Sequence, residues 1–416
     1  KEVAVMPFTP PLITEIPGGI EFAYMEEEHW PVIQLRDFNR SKSGDLTAEL
    51  DGFCMDSEAM TSVKGIKFNI NSLMMRKRIA EGLKSENEIN WNQILADVSW
   101  RAIKFYRNGD APVEIWPSVD DDLKPTYLLE PLLYLNHPTV LFGDYGSLKS
   151  LVALSITYMV QLPYYNNPLG LITLKESTPC LYLDYEDDPS SFKKRWSALE
   201  SGFNQGAMPV LYRRMTATIS DSAEQLRNII SDKKTKLVIV DSLGPAARGN
   251  LNDPEPAIKY HAALRQLGIT SLTLAHTAKD SLTKKRSIFG SVFFTNLARS
   301  VWECKAEQET GEDEAIISLK HNKANLSKLH SPLGYHFAFT ENSIKITKTD
   351  LALTSLSGEL PLSWQIKNVL KRGPFSVKEI AEELEKEEDT IGRSLRRMKT
   401  KKQVVKLENN SWGLSA

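Results

Sequence analysis

Apolar and polar positions along the chain change period three times. Over residues 1–116 the segments IEFAYMEEEHWPVIQLRDF, LTAELDGFCM and GIKFNINS alternate as half-buried strands do. They are followed by Leu73, Ile79, Leu83, Ile94, Leu95, Val98 and Ile103 at three- and four-residue spacing, which predicts helices. A small α+β domain without a catalytic constellation is expected there. Over 126–345 the pattern becomes short, nearly continuous apolar runs: TVLF, PCLYLDY, KLVIVDS, ITSLTLAH and AIISLKH. Strands covered on both faces read this way. Between them lie helical segments such as SLVALSITYMVQL, SFKKRWSALESGF, SAEQLRNIISDK and EPAIKYHAALRQLG. That βαβ rhythm predicts an α/β domain, a mostly parallel sheet flanked by helices.

Residues 362–416 form a third region. WQIKNVLKRG predicts a helix stopped at Gly373-Pro374, and FSVKEIAEELEKEE opens on Ser376 with Glu379 three residues on, a capping box. A basic segment, DTIGRSLRRMKTKKQVVK, and a short hairpin in VVKLENNSWGL close the chain. Residues 117–125, part of WPSVDDDLKP, and 346–361 read as linkers.

Composition narrows the classes. With 41% hydrophobic and 25% charged residues, the 416-residue chain is an ordinary globular one of two or three domains. Net charge is -2, so any nucleic-acid surface has to be local. Cys54, Cys180 and Cys304 are odd in number and lack CxxC spacing, which argues against disulfides or zinc and for a reducing compartment. No run approaches the roughly 20 apolar residues that span a bilayer, so a cytoplasmic protein without membrane contact is expected. The sequence begins at Lys1 rather than Met.

The sharpest chemical signal is HPTVLFGDYGSLKSLVALSITY, a strand running into Gly143, Asp144, Tyr145, Gly146, Ser147, Leu148, Lys149 and Ser150 and then a helix. Glycines let a loop turn its amides inward, and the helix N-terminus adds its positive end. A lysine then bridges the outer phosphates while a hydroxyl holds Mg²⁺. The glycine usual before the lysine is Leu148 here. Asp241 ends the apolar strand KLVIVDS, where it could hold the Mg²⁺ water shell opposite Ser150. In LYLDYEDDPS, Glu186 at the strand tip is preferred over Asp187 to orient an attacking water, whereas Asp188 before Pro189 suits an N-cap. His276 ends ITSLTLAH and is placed to sense the γ-phosphate. The next loop carries Lys284, Lys285 and Arg286 with Phe289, Phe293 and Phe294, a mixture suited to backbone phosphates and base stacking.

Together GDYGSLKS, LYLDYEDDP, KLVIVDS, LAHTAK and ISLKHNKAN resemble the RecA-like P-loop ATPases. Within these they are most similar to the RepA/DnaB-type group of ring-forming helicases, the RepA-like AAA proteins. The resemblance covers roughly residues 125–340. It implies a head-to-tail ring, usually a hexamer, with ATP and Mg²⁺ between subunits and a basic residue supplied in trans. It would make Lys149 and Ser150 the phosphate and Mg²⁺ ligands, Asp241 the Mg²⁺-associated acid, Glu186 the catalytic carboxylate and His276 the sensor. Either Arg299 in NLARSVWE or Lys323 in SLKHNKANL would be the trans-acting residue. The tail resembles a winged helix-turn-helix, with Arg393, Arg396 and Arg397 on its second helix facing duplex DNA. The expected activity is hydrolysis of ATP to ADP and phosphate by a DNA-dependent motor, a helicase or translocase in replication, repair or mobile-element maintenance. The alternative is an ATP-switched DNA-binding scaffold that does not unwind.

Overall fold

The computed structural model describes residues 9–415 apart from 17, 26–29, 43, 55–61, 85–88, 110–111, 113, 115–124, 163–168, 205, 207–208, 279–285 and 409. The chain forms two compact units, 1–121 and 122–416. The expected linker 117–125 lies almost wholly outside the described residues.

In the first unit, β1 (Leu12–Ile16), β2 (Gly19–Ala23), β3 (Pro31–Arg40), β4 (Leu46–Cys54) and β5 (Val63–Asn69) pair antiparallel in chain order. Two helices follow, α1 (Leu73–Gly82) and α2 (Trp91–Asn108). Their starts are fixed locally: the Ser72 side chain accepts from the Met75 amide and the Asn90 side chain from the Gln93 amide. Phe22, Ile33, Leu35, Leu50 and Phe68 of the sheet share one buried core with Ile79, Ile94, Leu95 and Val98 of the helices. Each such side chain contributes about 1.5–3 kcal/mol by burial. The small α+β domain expected from the alternating segments is present.

The second unit opens with β6 (Tyr127–Glu130), β7 (Leu133–Tyr134) and β8 (Pro138–Gly143), then α3 (Lys149–Gln161), β9 (Ile172–Thr173) and β10 (Cys180–Asp184). It continues through α4 (Pro189–Phe203), β11 (Leu211–Arg214), α5 (Ala223–Asp232), β12 (Leu237–Asp241), α6 (Leu243–Ala247) and α7 (Pro254–Leu267). Next come β13 (Thr270–His276), α8 (Val292–Leu297), β14 (Ser300–Glu307), β15 (Glu314–Ala324), β16 (Leu333–Phe339) and β17 (Ile344–Thr349). Among the described residues the main sheet has nine strands in the order β11-β10-β12-β13-β8-β14-β15-β16-β17. The strands from β11 to β14 run parallel, and β15 to β17 form an antiparallel extension.

Continuous apolarity has the anticipated cause. Tyr182, Ile239 and Leu274 face one layer with α3 and α4, while Leu183, Val240 and Ala275 face the other with α5, α6, α7 and α8. Helix α3 is buried almost all round, as expected of one seated against the sheet centre. This is the expected α/β architecture, a mostly parallel sheet flanked by helices. The antiparallel edge was only partly legible, through AIISLKH.

Residues 346–361 are not a free connection. Strand β17 runs to Thr349, and two 3-10 turns follow at Leu351–Leu353 and Ser355–Glu359. Leu351, Leu356 and Leu360 bury themselves as a small cluster against Ile316 of β15. Glu359 also pairs with Lys305, and with Lys320 at 3.5 Å. The tail then forms α9 (Leu362–Leu370), α10 (Val377–Glu383), α11 (Glu388–Thr400) and the antiparallel pair β18 (Val404–Lys406) and β19 (Trp412–Leu414). The Ser376–Glu379 capping box starts α10, and Ile366, Ile380, Ile391, Leu395 and Trp412 make the local core.

Candidate nucleotide site

Parallel pairing brings the carboxyl ends of the central strands into one row. Asp184 lies opposite Asp241, His276 opposite Gly143, and Gly143 opposite Cys304. Ligands bind at this edge in open α/β sheets. The loop after β8 leaves no room at Gly143: an added Cβ would stand 2.3 Å from the Cys304 carbonyl oxygen and 2.7 Å from Ser147 Oγ. Leu148 has a left-handed backbone, φ +58°, the conformation a glycine would adopt without penalty. A leucine there costs about 1–2 kcal/mol, and its side chain packs against the α3–α4 core layer. The departure from glycine therefore changes the side chain and not the path of the loop. Leu148 is also the N-cap of α3 and supplies no side-chain cap, so the first amides of this 13-residue helix open towards the loop.

Lys149 is buried, and its Nζ donates to the carbonyl oxygens of Gly143 at 3.0 Å and Asp144 at 2.7 Å and to Ser147 Oγ at 3.2 Å. Burial lowers its pKa below the usual ammonium range, with Cys304, Asp241, Glu186 and Asp144 opposing the shift. The ammonium thus sits in the loop before any anion arrives.

Asp241 is buried and accepts a 2.7 Å hydrogen bond from the Tyr182 hydroxyl on its Oδ2, with the Ser150 hydroxyl close by. Burial raises its pKa, with the two hydroxyls working against that. Among the described residues no group of three or more His, Cys, Asp or Glu could hold a metal unaided. A serine hydroxyl beside one buried carboxylate instead fits Mg²⁺ shared with water and phosphate oxygens. A carboxyl whose folded pKa is raised favours the fold only when protonated, so at neutral pH the ionised group subtracts from stability. Asp241→Asn is accordingly expected to raise the Tm of the nucleotide-free protein at pH 7 by about 1–2 °C, the shift that ~1 kcal/mol gives for a unit of this size at about 2.1 cal/mol/K of unfolding entropy per residue. The gain fades as the pH falls towards ordinary carboxyl values, where Asp241 itself becomes neutral. Calorimetry across pH checks this.

Glu186 receives a hydrogen bond on Oε1 from the Ser242 hydroxyl and lies 3.9 Å from His276 Nε2, both side chains being about half exposed. Below it the buried Asp184 Oδ1 accepts from the amides of Glu186 and Asp187 at 2.9 Å each, fixing the turn. The Asp187 carboxylate is taken by Arg195 at 2.7 Å. Asp188 caps α4 through the Ser190 and Ser191 amides, with Pro189 at the helix start. Tyr182, Ser242, Asp184 and Cys304 (whose Sγ lies 3.1 Å from the Ser147 carbonyl) were not singled out from sequence. The one available signal was LYLDY, a buried strand carrying polar tips.

The remaining candidates are scattered. The residues on either side of 279–285 pair at the base, Ala278 N donating to Ser287 O at 2.9 Å and Phe289 N to His276 O at 2.8 Å. Lys284 and Lys285 lie outside the described residues. Arg286, expected to meet nucleic acid, has its guanidinium between Asp144 and Glu303, the latter at 2.9 Å, beside the phosphate loop. Burial would push the Asp144 carboxyl up, but Arg286 overcomes this and holds it below the ordinary range. Lys323 is likewise committed within its own chain, donating to the carbonyls of Thr295, Asn296 and Ala298 at 2.9, 2.8 and 2.6 Å at the end of α8. Arg299 is exposed beside the start of β8, its amide donating to Pro138 O. That is the end of the sheet away from Gly143, roughly 17 Å distant at strand rise. Arg393, Arg396 and Arg397 are exposed on α11.

A cavity of about 340 Å³ adjoins the loop, lined by Tyr145, Ser147, Cys304, Lys305, Leu356 and Glu359 among others. A larger one, about 620 Å³, lies between residues 350–360 and the tail, away from the phosphate loop.

Residues 121–281 match the family model of an AAA domain. A search among curated proteins gave no match. Among solved structures, the chain is similar to a KaiC-like protein from the hyperthermophilic archaeon Pyrococcus horikoshii, at 17% identity and a TM-score of 0.37, over 54% of this chain and 95% of that one. The AAA match falls on the segment that carries the phosphate loop, Glu186, Asp241 and His276. Over this segment the AAA match and the phosphate loop on a mostly parallel sheet both support a P-loop ATPase. No helix among the described residues is long and apolar enough to cross a membrane.

Proposed function

We propose that the chain is a DNA-dependent ATPase motor that works as a head-to-tail ring, a helicase or translocase. One observation carries the reading: Lys149, Ser150, Asp241, Glu186 and His276 gather at one end of the sheet, while exposed Arg299 stands at the other. Arg299 cannot serve its own site and is available to a neighbour's. On ATP binding, Lys149 exchanges its loop carbonyls for β- and γ-phosphate oxygens. Mg²⁺, held through Ser150 and Asp241, would neutralise phosphate charge. Glu186, oriented by Ser242, aligns a water with the γ-phosphorus and accepts its proton as the bond to the ADP oxygen breaks. His276 lies close enough to Glu186 to register the γ-phosphate and shares its strand end with the 276–289 segment, so nucleotide state reaches the loop carrying Lys284 and Lys285. The tail, read as a winged helix-turn-helix, would grip duplex DNA through Arg393, Arg396 and Arg397.

The test combines ATP turnover with and without single-stranded DNA, strand displacement on a forked duplex, and particle mass with an ATP analogue. Arg299→Ala is expected to lower turnover by about 10³-fold or more, the scale of a trans-acting arginine, while ATP binding is kept. Turnover indifferent to DNA, with no displacement, would leave the second reading, an ATP-switched DNA-binding scaffold. Lys149 favours that reading to this extent: its donors are already met by the loop, so nucleotide entry has to displace them.

A further inference from the structure

The first unit presents a surface that the nucleotide chemistry does not use. Helix α2 turns Ile94, Leu95, Val98 and Ala102 into its core. Its period therefore sends Trp100, Lys104 and Arg107, at i, i+4 and i+7, to the opposite face, where all three are exposed. Trp100 leaves 60% of its surface open, unusual for so large an apolar side chain. The Lys104 ammonium lies 5.5 Å and the Arg101 guanidinium 5.8 Å from its ring centroid. Helix α1, packed beside α2, adds exposed Lys77 and Arg78, and Met74 at 82% exposure. Over residues 73–109 the sequence has seven basic side chains and four acidic ones, Glu81, Glu86, Glu88 and Asp97. Asp97 is already engaged by the Tyr24 hydroxyl at 2.8 Å and Arg101 at 2.6 Å. In a chain of net charge -2 this is a local concentration.

We infer that the exposed face of α2, with the neighbouring α1, is a docking surface for single-stranded nucleic acid. The ligand that matches it has a polyanionic backbone and unpaired flat bases. Spaced cations take phosphates, and an open indole between them takes a base face. A duplex offers charge but no free base face. The inference extends the partner proposed above to the first unit and does not depend on turnover.

The test uses the full chain, a short fluorescein-labelled oligothymidylate and anisotropy at several salt concentrations. Trp100→Ala is expected to weaken binding by about 5- to 150-fold, one stacked base's worth, with Trp100→Phe recovering most of it. Lys104→Gln with Arg107→Gln lowers the slope of log affinity against log salt by about 1.4, two single-strand phosphate contacts. All three positions are exposed, so circular dichroism should be unchanged. Ultraviolet cross-linking of the wild-type chain should map to the peptide holding Trp100. Unaltered affinity and slope in both variants overturn the inference. So does wild-type binding to anionic phosphatidylserine vesicles that Trp100→Ala abolishes while oligonucleotide binding persists. If the variants bind normally while wild-type turnover rises with oligonucleotide, this surface fails and the motor stands. If they lose binding while turnover never responds, the surface stands and the motor fails.

Discussion

Replacing Lys149 with alanine is expected to weaken ATP binding by about 10²–10³-fold. At least two charge-assisted hydrogen bonds to phosphate oxygens disappear, each worth about 1.5–3 kcal/mol, less the three loop contacts that the ammonium surrenders on binding. Backbone amides at the α3 N-terminus remain, but partial charges alone offset a triphosphate poorly. The same substitution removes a tether across the loop, so a small loss of nucleotide-free stability accompanies it. The two effects separate cleanly. Calorimetric titration reads the affinity, and the Tm difference with and without ATP reads whether nucleotide still stabilises the fold. Tight binding retained in Lys149→Ala would mean that the loop holds something other than the phosphates of a nucleotide.

The parts of this site that could be read from sequence are those written in consecutive residues. A strand, eight loop residues and a helix announce a phosphate cradle because the chemistry needs them adjacent. Strand-end acids announce themselves because buried strands rarely finish on a carboxylate without a use for it. What stayed hidden depends on register. Tyr182 meets Asp241 across 59 residues and Ser242 meets Glu186 across 56, pairings set only when β10 and β12 align. Arg286 looked like part of a basic loop, as its neighbours suggest. Only the folded chain sets it between Asp144 and Glu303. Lys323 looked available for the same reason and proves to cap α8. Residues 346–361 read as a linker because Ser, Thr and Gly dilute three leucines, whose burial against β15 is a tertiary fact. Trp100 was read past altogether, since a helical period marks which residues face inward but gives no reason to suspect an aromatic left outside.

Glu186→Gln should separate binding from chemistry. The substitution keeps shape and keeps an oxygen to accept the Ser242 hydrogen bond, so the strand tip should not move. It removes only the capacity to take a proton from water. Turnover should fall by about 10²–10⁴-fold, the usual contribution of a general base, while ATP affinity stays within about threefold, inside the spread of a neutral surface change. Asp187 cannot step in, because Arg195 holds its carboxylate at 2.7 Å; Asp187→Asn should therefore lower turnover less than about threefold. Phosphate release in a single turnover, compared between the two variants, decides the matter. A large loss in Asp187→Asn with near-normal Glu186→Gln would reverse the assignment of the two neighbouring acids. Normal release in both would move the catalytic carboxylate away from this strand end, leaving Asp241 as the nearest buried acid and recasting Glu186 and His276 as surface residues that merely flank the phosphates.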